Sequence, residues 1–322
     1  MFVGVWPDMG CFRLEQVAVR DNRVELYRVA LMFGIVLLHT NAHAADNYPW
    51  LGCLLMFCVT GFVFISGYYG IRFAWIKLLK LYGVAFACMA LVAMMECAAG
   101  CLAWKDFAAR IFYHVRLTWF LHAYAVLMLV APLLNAALEK RGWELPFLAL
   151  AFGWSYLYEI AHFRPYVFPT TGLGAHTPLT LAGIYVAARI FRRDDWESRI
   201  TSRTIIMLMP VLIFLAIIGL GRYNAPSSFL LAGGFFLLFK RYAPNWSLAG
   251  LIAPSMFAVY CLHSADPSEA WVSLLGRRMG GGLFTIVISA IVAFICCALV
   301  DVVRRLVLKF CIIRACRNTR CF

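Results

Sequence analysis

Ten runs of mainly apolar residues, most of them about 20 residues long, constrain this chain more than any other feature. A helix of about 20 residues spans the hydrocarbon core of a bilayer. Only 14% of the residues are charged and 63% are hydrophobic, whereas about a quarter of a soluble domain is charged. The sequence therefore predicts an all-α integral membrane protein of about ten transmembrane helices. The runs cover residues 24–43, 50–70, 78–103, 118–138, 145–162, 176–191, 204–221, 226–240, 248–264 and 283–308.

The distribution of positive charge predicts the orientation of these helices. If the N-terminus is cytoplasmic, the cytoplasmic segments hold about three times as many Lys and Arg as the outer loops, as the positive-inside rule requires. An even number of spans puts both termini in the cytoplasm. The chain then divides into a cytoplasmic N-terminal segment (1–23), a transmembrane domain (24–308) and a basic cytoplasmic tail (309–322). The net charge of +13 reflects this topology rather than a nucleic-acid partner, because the basic residues are dispersed over short loops.

Ionisable residues inside the first span are the strongest candidates for function, because charge is costly within a bilayer. Arg28 and His39 are eleven residues apart, close to three helical turns, so they face the same way and lie about 16 Å apart along the axis. Glu25 precedes Arg28 by three residues and is placed to pair with it. Taken singly, a snorkelling arginine and a solvated histidine at the helix end would explain these residues. Their combination on one face favours a functional site.

The chain resembles the membrane acyltransferase-3 family, which O-acylates surface polysaccharides and other acceptors. The resemblance rests on Arg28 and His39 with ten residues between them, and on three further motifs in the expected order. These are Phe64-Ile65-Ser66-Gly67-Tyr68; Trp119-Phe120-Leu121-His122-Ala123-Tyr124 with Pro132-Leu133-Leu134-Asn135; and Ala253-Pro254-Ser255-Met256-Phe257-Ala258-Val259-Tyr260-Cys261-Leu262-His263. The likeness covers roughly residues 23–308. Where the family often has a basic RxxR after the second span, this chain has Lys77-Leu78-Leu79-Lys80, which supplies charge without the bidentate fork of arginine.

The resemblance implies an acyl-CoA-dependent O-acyltransferase of the cell membrane. The acyl group, most simply acetyl, would pass from cytoplasmic acyl-CoA to a hydroxyl of a surface or exopolysaccharide sugar or its lipid-linked precursor. Catalysis would fall to His39 as the base, with Arg28 and Glu25; the phosphates of the acyl-CoA co-substrate would bind Arg28, Arg72, Lys77 and Lys80. His263, Tyr124 and Trp119 would line the acceptor side. No bound cofactor, metal or nucleic acid is expected, and the bilayer and a sugar acceptor are the expected partners.

Three other functions stay open at this point. A transporter or flippase of sugar-linked lipids fits ten spans with buried charges, although no internal repeat is evident. A member of the same family that binds without turnover would need neither Arg28 nor His39. An enzyme of another membrane acyltransferase family would also use a lone histidine within the membrane. The outer loop 162–178 is a candidate for acceptor contact, and Asp301 is expected to pair with Arg304 and Arg305 on its own helix.

Overall fold

The computed structural model describes residues 21–44, 46–154, 177–220, 222, 225–264 and 282–318, and within them the chain is helical with no strand. The expected all-α class is therefore confirmed. The predicted segment 1–23, the end of the basic tail and the loop 162–178 lie mostly outside these residues. The helices are α1 (Asn22–Ala42), α2 (Pro49–Leu55), α3 (Phe57–Tyr69), α4 (Trp75–Ala98), α5 (Phe107–Leu117), α6 (Trp119–Ala137), α7 (Glu144–Leu148), α8 (Pro178–Arg193), α9 (Trp196–Arg199), α10 (Ser202–Leu215), α11 (Pro226–Tyr242), α12 (Ser247–Ile252), α13 (Met256–His263) and α14 (Leu283–Asn318).

Five helical segments of the described chain are long and apolar enough to cross a membrane. They are Asn22–Ala42, Pro49–Tyr69, Trp75–Ala98, Trp119–Ala137 and Leu283–Phe310. Helical structure also occupies at least part of each of the other five predicted runs. Large apolar side chains such as Leu306 and Phe310 of α14 are exposed on the outer surface, as expected of residues that face lipid. The chain is thus a helical membrane protein, while the count of ten spans and the side of each terminus stay predictions.

Helix α1 lies at the centre of the bundle. It contacts α2, α3, α11, α12, α13 and α14. About 61% of its apolar 18-residue stretch is buried inside the protein, against 22% of the corresponding stretch of α14. The Tyr27 hydroxyl, buried with its side chain, donates a 2.8 Å hydrogen bond to the carbonyl of Ala232 in α11. A helix surrounded in this way is shielded from lipid, so the polar side chains that it carries face other helices.

The segment between the third and fourth predicted runs differs from the expectation. The third run was expected to reach residue 103, but α4 ends at Ala98 and residues 107–117 form helix α5 instead of an outer loop. Ile111, His114 and Val115 share one buried or half-buried face of α5, at spacings of three and four residues. Arg110 of α5 binds the carboxylate of Glu96 in α4 through two nitrogens, at 2.6–3.1 Å. This bidentate ion pair fixes the corner between the two helices.

A one-residue break at Thr118 separates α5 from α6. The carbonyls freed by the break are satisfied locally: the Thr118 hydroxyl donates to the His114 carbonyl at 3.0 Å, and His122 Nε2 donates to the Val115 carbonyl at 3.0 Å. His122 Nδ1 therefore accepts from the Tyr82 hydroxyl of α4, at 3.2 Å. Because its backbone groups are satisfied, the chain can turn here and direct the start of α6 towards α1.

Candidate functional site

The first part of the site is the pair of Arg28 and His39 on the unbroken helix α1. Glu25 and Arg28 form the predicted ion pair, with Oε1 and Nη1 2.6 Å apart. Glu25 is buried, whereas about 32% of the Arg28 side chain is exposed. A guanidinium carries five N–H donors and the bond to Glu25 uses one of them, so Arg28 keeps donors for an anionic ligand while its own position is fixed.

His39 lines an apolar cavity of about 80 Å³ between four helices. The other lining residues are Met32 and Ile35 of α1, Val59 and Phe62 of α3, Trp119 and Phe120 of α6, and Phe257 and Tyr260 of α13. The break at Thr118 brings Trp119 here, since α6 starts at that residue. An imidazole beside a small apolar cavity can transfer a proton to or from a group that is held there away from bulk water.

A second histidine lies against the first. The rings of His39 and His263 have centroids 4.9 Å apart and are tilted by 43°. His263 is 3% exposed, and its Nδ1 lies 2.7 Å from the Val259 carbonyl one turn earlier in α13. Only a donor can bond a carbonyl oxygen, so Nδ1 carries the proton and Nε2 of the neutral ring is an acceptor. Two chain segments more than 200 residues apart in sequence therefore meet at one imidazole pair.

Helix α6 carries two of the residues expected on the acceptor side. Trp119 and Phe120 line the cavity at His39, and Tyr124 lies about one turn further on in α6. The Tyr124 hydroxyl forms a 3.0 Å hydrogen bond with Ser66, two turns beyond Val59 on α3. Of the three residues expected on the acceptor side, His263 and Trp119 thus lie beside His39, whereas Tyr124 lies further along α6.

The remaining predicted cations lie at the turn from α3 to α4. Arg72, Lys77 and Lys80 are exposed, and Lys77 Nζ lies 3.4 Å from the Arg72 carbonyl. They form an exposed basic group at the start of α4.

A polar network that the sequence analysis missed fastens the ends of α3, α9 and α11. The Tyr68 hydroxyl donates to Glu197, and Lys240 Nζ lies 2.7 Å from both Glu197 oxygens and 2.9 Å from the Tyr68 hydroxyl. The Arg192 guanidinium covers the Tyr68 ring at 4.7 Å. Burial raises the pKa of Glu197, but the hydrogen bonds from Lys240 and Tyr68 outweigh that effect and leave the pKa below its usual value. The one sequence signal for this network is Tyr68, the last residue of the Phe64–Tyr68 motif.

One motif residue, Asn135, has a structural role. The Tyr185 hydroxyl donates to the Asn135 side-chain oxygen at 2.8 Å and accepts from the Ile71 amide at 3.0 Å, while the Asn135 amide donates to the Ile71 carbonyl at 3.2 Å. This triangle fixes the chain just after α3. Asn135 belongs to the Pro132–Asn135 motif, so that motif positions the end of α3 rather than reaching the His39 cavity.

Other polar groups of the described chain offer weaker sites. A cleft of about 310 Å³ lies between α7 and α8, but its charged residues are already paired, Glu144 with Arg193 at 2.7 Å and Arg141 with Asp194 at 3.5 Å. Among the described residues, no three or more His, Cys, Asp or Glu side chains converge in a way that would hold a metal ion. The cavity at His39 is therefore the best supported reaction site.

Fold and site together define a helical membrane protein whose central helix presents an arginine and, three turns on, a histidine at an apolar cavity. The chain belongs to the acyltransferase-3 family: the family model described as an acyltransferase domain matches residues 21–302. It is accordingly a membrane acyltransferase by family. No curated protein and no solved structure matches the chain.

Proposed function

We propose that this protein transfers an acyl group, most simply acetyl, from cytoplasmic acyl-CoA to a hydroxyl of a surface or exopolysaccharide sugar or its lipid-linked precursor. The observation that carries the proposal is the position of His39, at an apolar cavity on the same helix face as the paired Arg28. A half-buried base at a cavity and a fixed cation about 16 Å away suit a donor with a reactive thioester at one end and phosphates at the other.

The donor would enter from the end of the bundle that carries Arg28. Arg28 would bind a phosphate through the N–H donors that Glu25 does not use. Arg72, Lys77 and Lys80 would attract the polyanion from solution, a role that suits their exposure. The pantetheine arm would then run along α6, past Tyr124 and towards Trp119, and place the thioester next to His39.

In the reaction, the acceptor hydroxyl would donate its proton to the neutral imidazole of His39 as its oxygen attacks the thioester carbonyl. The tetrahedral intermediate would collapse with cleavage of the carbon–sulfur bond. The CoA thiolate would leave and take the proton back from the His39 imidazolium, so that the products are an O-acyl ester and CoA thiol. His263 would orient His39 through the ring contact at 4.9 Å. The apolar lining would keep water away from the thioester and so limit hydrolysis.

Acyl transfer in proteoliposomes tests the proposal. Purified protein is supplied with radiolabelled acetyl-CoA and with the lipid-linked sugar extract of the cells that produce it, and label in the lipid fraction is measured together with CoA release. We expect transfer by the wild type and a loss of about 100-fold or more in kcat for His39→Ala. His43→Ala is the matched control, because His43 is exposed one turn beyond His39. Arg28→Ala should raise the KM for acetyl-CoA, and Arg28→Lys should recover part of the loss.

Each result separates one function from another. Full activity of His39→Ala would move the base elsewhere, with His263 the next residue to test. If the wild type consumed no acetyl-CoA but moved labelled lipid-linked sugar between leaflets, the protein would be a flippase. Binding of acetyl-CoA without turnover in the presence of the extract would indicate a non-catalytic member of the family.

A further inference from the structure

We propose that the cavity beside His39 receives the acyl group of the donor and restricts it to about two carbons, with Ile35 and Val59 as the residues that set this limit. The inference rests on the proposed function and goes beyond it, because it assigns the acyl specificity to named side chains. The argument starts from the volume of the cavity, about 80 Å³.

That volume corresponds to very few atoms. An apolar cavity of about 150 Å³ in a protein core binds benzene, which has six heavy atoms. By proportion, about 80 Å³ accommodates about three heavy atoms. A transferred acetyl group has three, namely its methyl carbon, its carbonyl carbon and its oxygen. A butyryl group has five, so it needs room that the cavity does not offer.

The walls at Ile35 and Val59 are rigid. Both side chains are buried, with 4% and 5% of their surface exposed, and both are β-branched and restricted to few rotamers. Met32 also lines the cavity, but its unbranched side chain adapts to a neighbour more easily. Ile35 precedes His39 by four residues on α1, so it lies one turn below the imidazole.

The two helices that carry these residues pack against each other through small residues. A Cβ atom added to Gly34 of α1 would clash with Cys58 Sγ of α3, next to Val59. The Cys58 side chain therefore lies directly against the backbone of α1, as small residues permit in membrane helix pairs. A longer acyl chain would have to compress this packing, and the interior of a protein resists even one additional methylene.

A double-label competition measures the specificity directly. Equimolar acetyl-CoA and butyryl-CoA, with different isotopes on the acyl groups, are given to membrane vesicles from the producing cells, which contain the natural acceptors. The ratio of the two labels in the lipid and polysaccharide fraction equals the ratio of the two kcat/KM values, and it does not depend on how much of the protein is folded. The wild type should favour acetyl by about 100-fold or more, since two additional methylenes each cost at least about tenfold.

Two pairs of variants locate the limit. Ile35→Ala removes three heavy atoms from the cavity wall and should lower the preference for acetyl by about tenfold or more. Ile65→Ala is its control: it makes the same change at a residue that is 1% exposed but does not line the cavity, and it should leave the ratio unchanged. Val59→Ala and Val63→Ala form a second pair, one turn apart on α3, in which only Val59 lines the cavity.

Each outcome decides between the proposals. Equal use of butyryl-CoA and acetyl-CoA by the wild type would overturn the size limit while leaving acyl transfer intact. Equal shifts in Ile35→Ala and Ile65→Ala would show that general loosening, not the cavity, sets the preference, and if neither folds the valine pair gives the same comparison. If the wild type transferred neither label, the proposed function would fail and the inference with it.

Discussion

Replacing Gly67 by alanine tests the tight contact between α3 and α8. A Cβ atom at position 67 would lie 2.5 Å from the carbonyl oxygen of Tyr185, 3.0 Å from its Cα and 2.8 Å from the Cβ of Ala188. Two of these three atoms belong to backbone, which cannot rotate away as the end of a side chain can. The added methyl must therefore push the two helices apart.

The magnitude follows from two opposing effects. Overpacking of a close-packed interior costs about 1–3 kcal/mol, and alanine favours a helix over glycine by about 0.8–1 kcal/mol. We expect Gly67→Ala to be about 0–2 kcal/mol less stable than the wild type, and about 1–3 kcal/mol less stable than a variant that gains the helix preference alone. The displacement would also strain the bonds that Ser66 and Tyr68 make on either side of Gly67, so acyl transfer should fall as well.

Thermal unfolding of the purified protein in detergent measures this effect, with Gly83→Ala as the matched control. Gly83 lies within α4, and nothing lies within 4 Å of a Cβ at that position. The control variant therefore gains only the helix preference and should be as stable as the wild type or more so. If Gly67→Ala unfolded at or above the temperature of Gly83→Ala, the close approach of α3 and α8 would be refuted.

Three further substitutions have expected outcomes. Asp301 is fully buried and pairs with Arg304 and Arg305, as its spacing predicts. Asp301→Asn should therefore lower the free energy of unfolding by about 3 kcal/mol, measured by thermal unfolding in detergent. No change in stability would mean that the two ion pairs contribute nothing. Asn135→Ala should lower the free energy of unfolding by about 1–3 kcal/mol, because it removes the part-buried bonds of its side chain to the Tyr185 hydroxyl and the Ile71 carbonyl. Unchanged susceptibility of the turn after α3 to proteolysis would contradict this. The pKa of Glu197 is held below its usual 4.5. The stability that this carboxylate contributes is therefore complete above about pH 4.5 and decreases as the pH falls through the lowered pKa. Glu197→Gln should remove this part of the pH dependence, and identical profiles of stability against pH for the variant and the wild type would count against the network.

Much of the helical structure was predictable because bilayer thickness dictates the length of an apolar run. The pairs of Glu25 with Arg28 and of Asp301 with Arg304 and Arg305 were also predictable, since residues three and four apart on a helix are neighbours. Helix α5 was missed because charged residues such as Arg110 interrupt its apolar residues, a pattern that is also typical of an outer loop. The partner of Arg110, Glu96 of α4, is known only from the structure.

The long-range part of the site was not predictable from spacing. The Tyr68–Glu197–Lys240 network joins residues 129 and 172 positions from Tyr68, and the contact of His39 with His263 depends on how α1 packs against α13. The motifs identified both histidines, yet no periodicity indicates that their rings touch. Lys77 and Lys80 are exposed at the start of α4, and their binding of acyl-CoA phosphates stays a prediction.

The location of Arg28 and His39 on one continuous helix has a consequence for how the gene can change. Because each residue turns a helix by about 100° and advances it by about 1.5 Å, a single inserted or deleted residue between them would turn the histidine away from the arginine's face. An insertion of three or four residues would nearly restore the face but would lengthen the interval by about 5 Å. On the proposed function, substitutions between the two residues are therefore easier to accommodate than a change in their number, and the length of this segment is itself part of the proposed site.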